Sequence, residues 1–246
     1  MKTILRYLPL VILAVAWETV SRLQLVSSSA LPPLSEIAVA WWDMLKSGEL
    51  VTNGAASLWR AGAGLFLSIV VGATLGIFMA WWRPVNIVLG PLVEALYPMP
   101  KSALIPVTVI WLGFGDGSKI LLILLGCMLP VTIGAYNGAR GSDQALVWTA
   151  RSMGASKLRM LWDVVLPSAT PELLNGIRTA LALSFILLVS SELIVAREGL
   201  GYLIGSLGSN GNYDAMYAVV LTVAFIGFAA DRVYQIFQDR MLRWQQ

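Results

Sequence analysis

Residues 138–167 read GARGSDQALVWTARSMGASKLRMLWDVVLP. This stretch is a polar interruption between two long apolar blocks, and it carries Arg140, Arg151, Lys157 and Arg159. Ala145 to Met153 reads as a short helix and Gly154 as its break. Ser156 to Val165 reads as a second helix, with Leu166-Pro167 stopping it before the next apolar run. The result is a compact basic elbow, with Met153, Leu158, Met160 and Leu161 as apolar contacts for a partner. The same residues also fit an amphipathic loop lying on lipid headgroups.

The surrounding chain decides what kind of elbow this is. Of 246 residues, 57% are hydrophobic and 13% charged, against about 25% charged in a soluble domain. Long apolar blocks at that charge density describe an all-α integral membrane protein. Ten Trp and seven Tyr suit a chain that crosses two membrane–water interfaces. A net charge of +3, spread over loops, gives no footprint for nucleic acid. Cys127 is the single cysteine and histidine is absent. Disulfide frameworks, Cys or His metal sites and His-based catalysis are therefore excluded, and no catalytic or metal residues are assigned.

Taken in order, the chain opens with Lys2 and Arg6 before an apolar run. One reading is an uncleaved first span, Ile4 to about Leu25. The other is a secretory signal cleaved near Ala14-Val15-Ala16. The first is preferred because the pattern continues into helix formers, with Glu18 and Arg22 at i,i+4 spacing. Leu31-Pro32-Pro33-Leu34 then breaks the chain, and Ser35-Glu36 starts a short amphipathic helix carrying Trp41 and Trp42. That helix either lies at the interface or packs on the bundle. The second span is Ala55 to Trp82, where Gly72 and Gly76 permit a close helix approach. The third block, Asn86 to Leu112, is interrupted by Pro91, Pro98, Pro100 and Pro106. Such breaks survive in a membrane only where protein covers the freed backbone or the backbone lines a cavity. One arrangement lays Ile87–Tyr97 near the cytoplasmic interface and runs Ser102–Leu112 deeper. Glu94 and Lys101 would share a face of an unbroken helix. Ionisable groups at depth cost about 2.5–3.5 kcal/mol and face the bundle interior. Pro98, Pro100, Pro106, Glu94 and Lys101 are therefore candidates for pathway or gate, as is Glu192 near the far end of the fifth span. A structural pair at the boundary is the alternative for Glu94 and Lys101.

Gly113 to Lys119 is glycine-rich but lacks the spacing of a phosphate loop, and it reads as an external turn. The fourth span is Ile120 to Ala139, the fifth about Leu173 to Val195, and the sixth about Ala215 to Ala230. A charged tail follows. With the N-terminus inside, eleven basic residues fall on internal segments: Lys2, Arg6, Arg83, Arg140, Arg151, Lys157, Arg159, Arg178, Arg232, Arg240 and Arg243. Five fall outside, namely Arg22, Lys46, Arg60, Lys119 and Arg197, with Lys101 unassigned. That asymmetry places the elbow in the cytoplasm.

Thr149 to Pro167 resembles the Glu-Ala-Ala loop of ABC importer permeases. That loop has EAA, three residues, Gly, then about nine residues to an apolar residue followed by Leu-Pro. Ala150, Gly154, Leu166 and Pro167 match, whereas Trp148 and Thr149 stand at the Glu and first Ala positions. The likeness extends over about three-quarters of the chain through SLWRAGAGLFLSIVVGATLGI, YPMPKSALIPVTVIWLGFGDGSKI, LPSATPELLNGIRTALALSF and SELIVAREGLGYLI. Together these look like the nitrate/sulfonate/taurine/bicarbonate-type branch. The resemblance implies about six membrane helices, a five-helix type I importer core (55–240) plus an N-terminal helix and external connector (1–54), with a cytoplasmic tail (241–246). It implies an ATPase-coupling role for Trp148, Thr149, Ala150, Arg151, Met153, Gly154, Ala155, Lys157, Leu158, Leu166 and Pro167. It further implies a second permease copy, two cytoplasmic ATPase subunits carrying ATP and Mg, and an extracytoplasmic solute-binding protein. Both termini would be cytoplasmic in a bacterial inner membrane, and no cofactor would bind this chain. The cargo would be a small anion such as a sulfonate, taurine, nitrate or bicarbonate; related members serve vitamin precursors. The competing classes are an ion-gradient-driven transporter and a membrane enzyme. The first needs repeated halves or paired intramembrane carboxylates, and the second a nucleophile–base pair that the composition does not offer.

Overall fold

The computed structural model describes residues 2–27 and 29–243. In chain order the helices are α1 Lys2–Arg22, α2 Leu34–Lys46, α3 Glu49–Trp81, α4 Arg83–Leu96, α5 Ile105–Leu112 and α6 Asp116–Arg140. There follow α7 Gln144–Ser152, α8 Lys157–Met160, α9 Leu166–Val195, α10 Leu200–Ser209 and α11 Tyr213–Met241. A 3-10 turn, Lys101–Leu104, precedes α5, and a π-helical turn, Leu161–Val165, joins α8 to α9. The described residues contain no strand.

Four helices are long and apolar enough to cross a membrane: α3, α6, the continuous Lys157–Val195 helix and α11. The α4–α5 pair qualifies together as a fifth span, bent by 100°. With 21 residues and 1.5 Å rise per residue, α1 is about 32 Å long, close to a hydrocarbon core of about 30 Å, but it is not among the helices both long and apolar enough to cross. Among the described residues four or five spans stand against about six expected, and several of them start earlier in the chain. Helices α3, α6 and α11 begin earlier, and α11 carries the charged residues from Asp231 to Arg240 as helix rather than loose tail. The side chains of Lys2 and Arg6, and residues 244–246 of the expected tail, lie outside the described residues.

By its internal contacts the chain divides into two units, Met1–Ser57 with Glu192–Ile226, and Leu58–Ser191 with Gly227–Gln246. In the first, Met44, Leu50, Leu200, Leu203, Ala215 and Val219 form a buried cluster. Ile37 and Met44 are the buried positions of α2, so α2 packs on the bundle and leaves Trp42 about half exposed. The connector is stitched down by Trp17 Nε1 donating to the Pro32 carbonyl (2.9 Å), Ser21 Oγ to Leu31 O (2.6 Å) and Tyr217 Oη to Ala30 O (2.7 Å). These bonds satisfy carbonyls that the Pro32-Pro33 break leaves without helical donors.

In the second unit α6 is the central helix, with Leu122, Ile123, Cys127, Val131 and Ala135 fully buried. Its neighbours approach closely because side chains are missing at the crossings. A Cβ on Gly72 would meet Met128 O at 2.6 Å, and one on Gly176 would meet Pro130 O at 2.6 Å. Gly72 lies on α3 and Gly176 on α9, so α6 is packed against both. Cys127 Sγ donates to the Ala180 carbonyl across the second of these contacts (3.3 Å). Helix α9 is also tied to the end of α11. Arg178 makes a two-pronged ion pair with Asp231 (2.8 and 3.1 Å), and Tyr234 Oη donates to Leu174 O (2.8 Å). Phe66 and Ile110 are exposed in this unit, as lipid- or partner-facing positions are.

Candidate functional site

The elbow is assembled by local capping. Asp143 Oδ1 accepts from the Ala145 N–H (2.8 Å) and starts α7. At the other end Gly154 N–H donates to Arg151 O and Ala155 N–H to Ala150 O, both at 3.0 Å. This pairing is the Schellman arrangement, which needs a left-handed residue at Gly154, and its φ is +80°. Ser156 Oγ then accepts from the Arg159 N–H (3.3 Å) and starts α8. Ala150 and Gly154, two of the four matching positions, are thus the two ends of one turn.

Beyond α8 the structure corrects the expected stop. Leu166-Pro167 does not end the second helix; the chain stays helical from Lys157 to Val195. Proline removes the N–H of residue 167 and crowds the carbonyl four residues back, at Asp163. The Leu161–Val165 turn widens to π form, with Leu166 N–H reaching Leu161 O, and so admits the ring without breaking the helix. The fifth span consequently begins well before Leu173.

A second correction concerns the apolar surface of the elbow. Met160 is buried, and Leu161 packs on the cluster of Ala139, Val165 and Ala169. These side chains root the elbow to α6 and α9 rather than offer contacts. The exposed apolar set is Leu146, Trp148, Met153, Leu158 and Trp162, with Met153 82% exposed. Arg151, Lys157 and Arg159 are exposed around it, and Arg159 pairs with Asp163 (3.2 Å). Thr149 is occupied internally, donating its hydroxyl to Ala145 O (2.8 Å). Trp162 had no signal in the periodicity, because the π turn shifts its facing.

The interrupted third block bends between α4 and α5. Pro98 and Pro100 lie in the connection, and Pro106 sits in the first turn of α5, where a missing N–H costs nothing. Glu94 and Lys101 do not share a helix face, because the helix is broken between them. Lys101 Nζ instead donates to the carbonyls of Leu96 (2.8 Å), Tyr97 (2.9 Å) and Met99 (2.7 Å). It caps the C-terminal end of α4 with a cation, where the helix dipole favours one. Glu94 borders a cleft of about 560 Å³ formed by α3, α4 and α6, together with Asn86, Tyr97, Thr132, Tyr136 and Asn137. The amides and phenols of this cleft escaped sequence reading; their signal was polar residues spaced along otherwise apolar helices.

Arg60 and Lys119 are both buried. Arg60 Nε pairs with Asp116 Oδ1 (2.7 Å), while Lys119 Nζ donates to the carbonyls of Phe114 and Gly115 in its own turn.

Glu192 sits in the first unit, 1% exposed. Its carboxylate accepts from Ser57 Oγ (2.7 and 2.9 Å) and from the Gly201 N–H (3.0 Å), while Ser57 Oγ accepts from the Leu200 N–H (2.8 Å). Leu200 and Gly201 open α10, so Glu192 and Ser57 occupy two of its unpaired amides. Asn53 Oδ1 takes the Gly199 N–H (2.7 Å). The backbone at Gly199 has φ +116°, and a Cβ there would enter the Glu192 carboxylate.

The described chain is thus a set of membrane-length helices with one bent span and a capped basic elbow. Residues 72–243 match the family described as binding-protein-dependent transport system inner membrane component, and the chain belongs to it. It is 36% identical to the taurine transport system permease protein TauC of Escherichia coli K12, over 96% of this chain and 87% of that protein. It is 32% identical to the putative aliphatic sulfonates transport permease protein SsuC of Bacillus subtilis 168, over 97% and 86%. A solved chain of the MetNI methionine ABC transporter in an inward facing conformation shares the fold with a TM-score of 0.67 at 22% identity. That match covers 82% of this chain and 98% of the other. The protein is a multi-pass permease subunit of an ABC importer.

Proposed function

We propose that the chain forms the translocation pathway with a second copy of itself, above two ATPase subunits, and imports a small sulfonate. The observation that carries the coupling role is the elbow: a rigid, capped projection with five exposed apolar side chains ringed by cations. An acid-rimmed apolar groove on each ATPase is its complement. Binding of ATP closes the ATPase pair, moves the two elbows and favours the outward-facing pathway; hydrolysis resets it. The basic asymmetry supports a cytoplasmic elbow and cytoplasmic termini. Likeness to permeases named for taurine and aliphatic sulfonates supports the cargo, which an extracytoplasmic binding protein delivers.

Gly154→Leu tests the coupling. The permease should insert and fold, since nothing lies within 4 Å of a Cβ at this position, but the turn must refold. ATP hydrolysis by the reconstituted importer should continue while sulfonate uptake per ATP falls severalfold. Unchanged uptake per ATP would remove the elbow from the coupling path.

A further inference from the structure

The α3–α4–α6 cleft has a polarity that a plain anion site would not have. Among its described lining residues Glu94, on α4, is the only charged one. On the opposite wall Tyr136 Oη accepts from Arg140 Nη1 (2.7 Å), and the guanidinium also lies over the Tyr136 ring (5.5 Å). A phenol that accepts from a cation keeps its own proton to donate and donates it more strongly. Asn137 lies beside it and adds amide donors. Thr132 is spent on the Met128 carbonyl (2.8 Å). The α4 side therefore carries the negative charge, with Asn86 and Tyr97 beside it, and the α6 side presents donors backed by positive charge. At about 560 Å³ the cleft lies within the range of small-molecule sites, about 300–1,000 Å³. Glu94 is exposed toward the cleft, so a cationic group entering it can reach the carboxylate.

We propose that this cleft is an internal solute site for a small zwitterion, an amino-sulfonate or amino-carboxylate. Its ammonium meets Glu94, and its acid group meets Tyr136 and Asn137. The proposal rests on the importer reading and narrows its cargo: the permease itself senses the amine, so a sulfonate without one passes poorly. Arg140 is a positioning residue that acts through Tyr136.

The test is direct binding to the importer, assembled with its ATPase in lipid nanodiscs and without its binding protein. The probes are taurine, ethanesulfonate and ethylamine, each carrying both or one of the two charged groups. Taurine should bind, and either single-group probe should bind roughly tenfold more weakly, the scale of one charge-assisted contact. Glu94→Gln should cost taurine roughly tenfold and leave ethanesulfonate unchanged. Tyr136→Phe should weaken taurine and ethanesulfonate together. Equal binding of ethanesulfonate and taurine, equal binding of ethylamine and taurine, no binding at millimolar taurine, or an indifferent Glu94→Gln would each overturn the proposal. Co-purification of the ATPase with the same variants reports the importer reading separately. A variant that keeps its ATPase but loses taurine is defective in the cleft alone.

Discussion

Gly199 is a position where one methyl group would be felt at once. Its φ of +116° is strained for any L side chain, and the Glu192 carboxylate occupies the space a Cβ needs. Gly199→Ala should cost about 2–4 kcal/mol, combining backbone strain with the exposure of buried partners of Glu192. Thermal unfolding in detergent should register this as a melting point several degrees lower. A melting point equal to wild type would mean that the Ser57–Glu192–Gly201 network does not hold this loop. Some of these residues were legible in the sequence and others were not, for a physical reason. Gly154 acts on residues next to it in the chain, so its type announced the break between the two elbow helices. Ser57 and Glu192 are 135 residues apart, and no local pattern couples a serine on one helix to a carboxylate on another. Glu192 could be recognised as costly, but its partners could not.

At the scale of elements, proline was read as punctuation, which was half right. In the third block Pro98 and Pro100 stand where the helix breaks, at a 100° bend that Lys101 caps, whereas Pro91 stays inside α4. Before the fifth span the helix does not break, because a π turn supplies the room. The two outcomes look alike in sequence and differ in what surrounds them. Around Pro167 the buried cluster of Ala139, Val165 and Ala169 holds the helix on course, whereas α4 has no buried residue to hold it. The π turn carries a mechanical prediction. Pro167→Ala restores the missing N–H, and the Leu161–Val165 segment should relax to α form. Losing one residue from the turn rotates everything before it by about 100°. The elbow would then present different side chains to the ATPase. Uptake per ATP should fall although the helix itself is no less stable, and a coupling ratio equal to wild type would show that the π turn does not set the elbow's facing.

For the whole molecule, fold class was plain from apolar run length, since a bilayer fixes the length of a span more tightly than any soluble core does. The packing of α2 was not plain, because paired tryptophans suit a lipid interface and a bundle groove equally well. Nor was the cleft, whose walls come from three helices and whose polar groups are scattered through apolar runs.

The burial of Cys127, bonded to Ala180 O and 0% exposed, has a practical corollary. A sheltered thiol of this kind is chemically quiet, so the natural chain is already a blank background for thiol labelling. A cysteine placed at Met153, the most exposed tip of the elbow, would be the one reactive site among the described residues. A maleimide that cannot cross membranes should label it in inverted vesicles stripped of the ATPase and not in intact cells. Labelling in intact cells would turn the assigned topology upside down. Adding the ATPase back should then shield the same cysteine from the maleimide, a footprint of docking read on a chain whose own thiol stays silent.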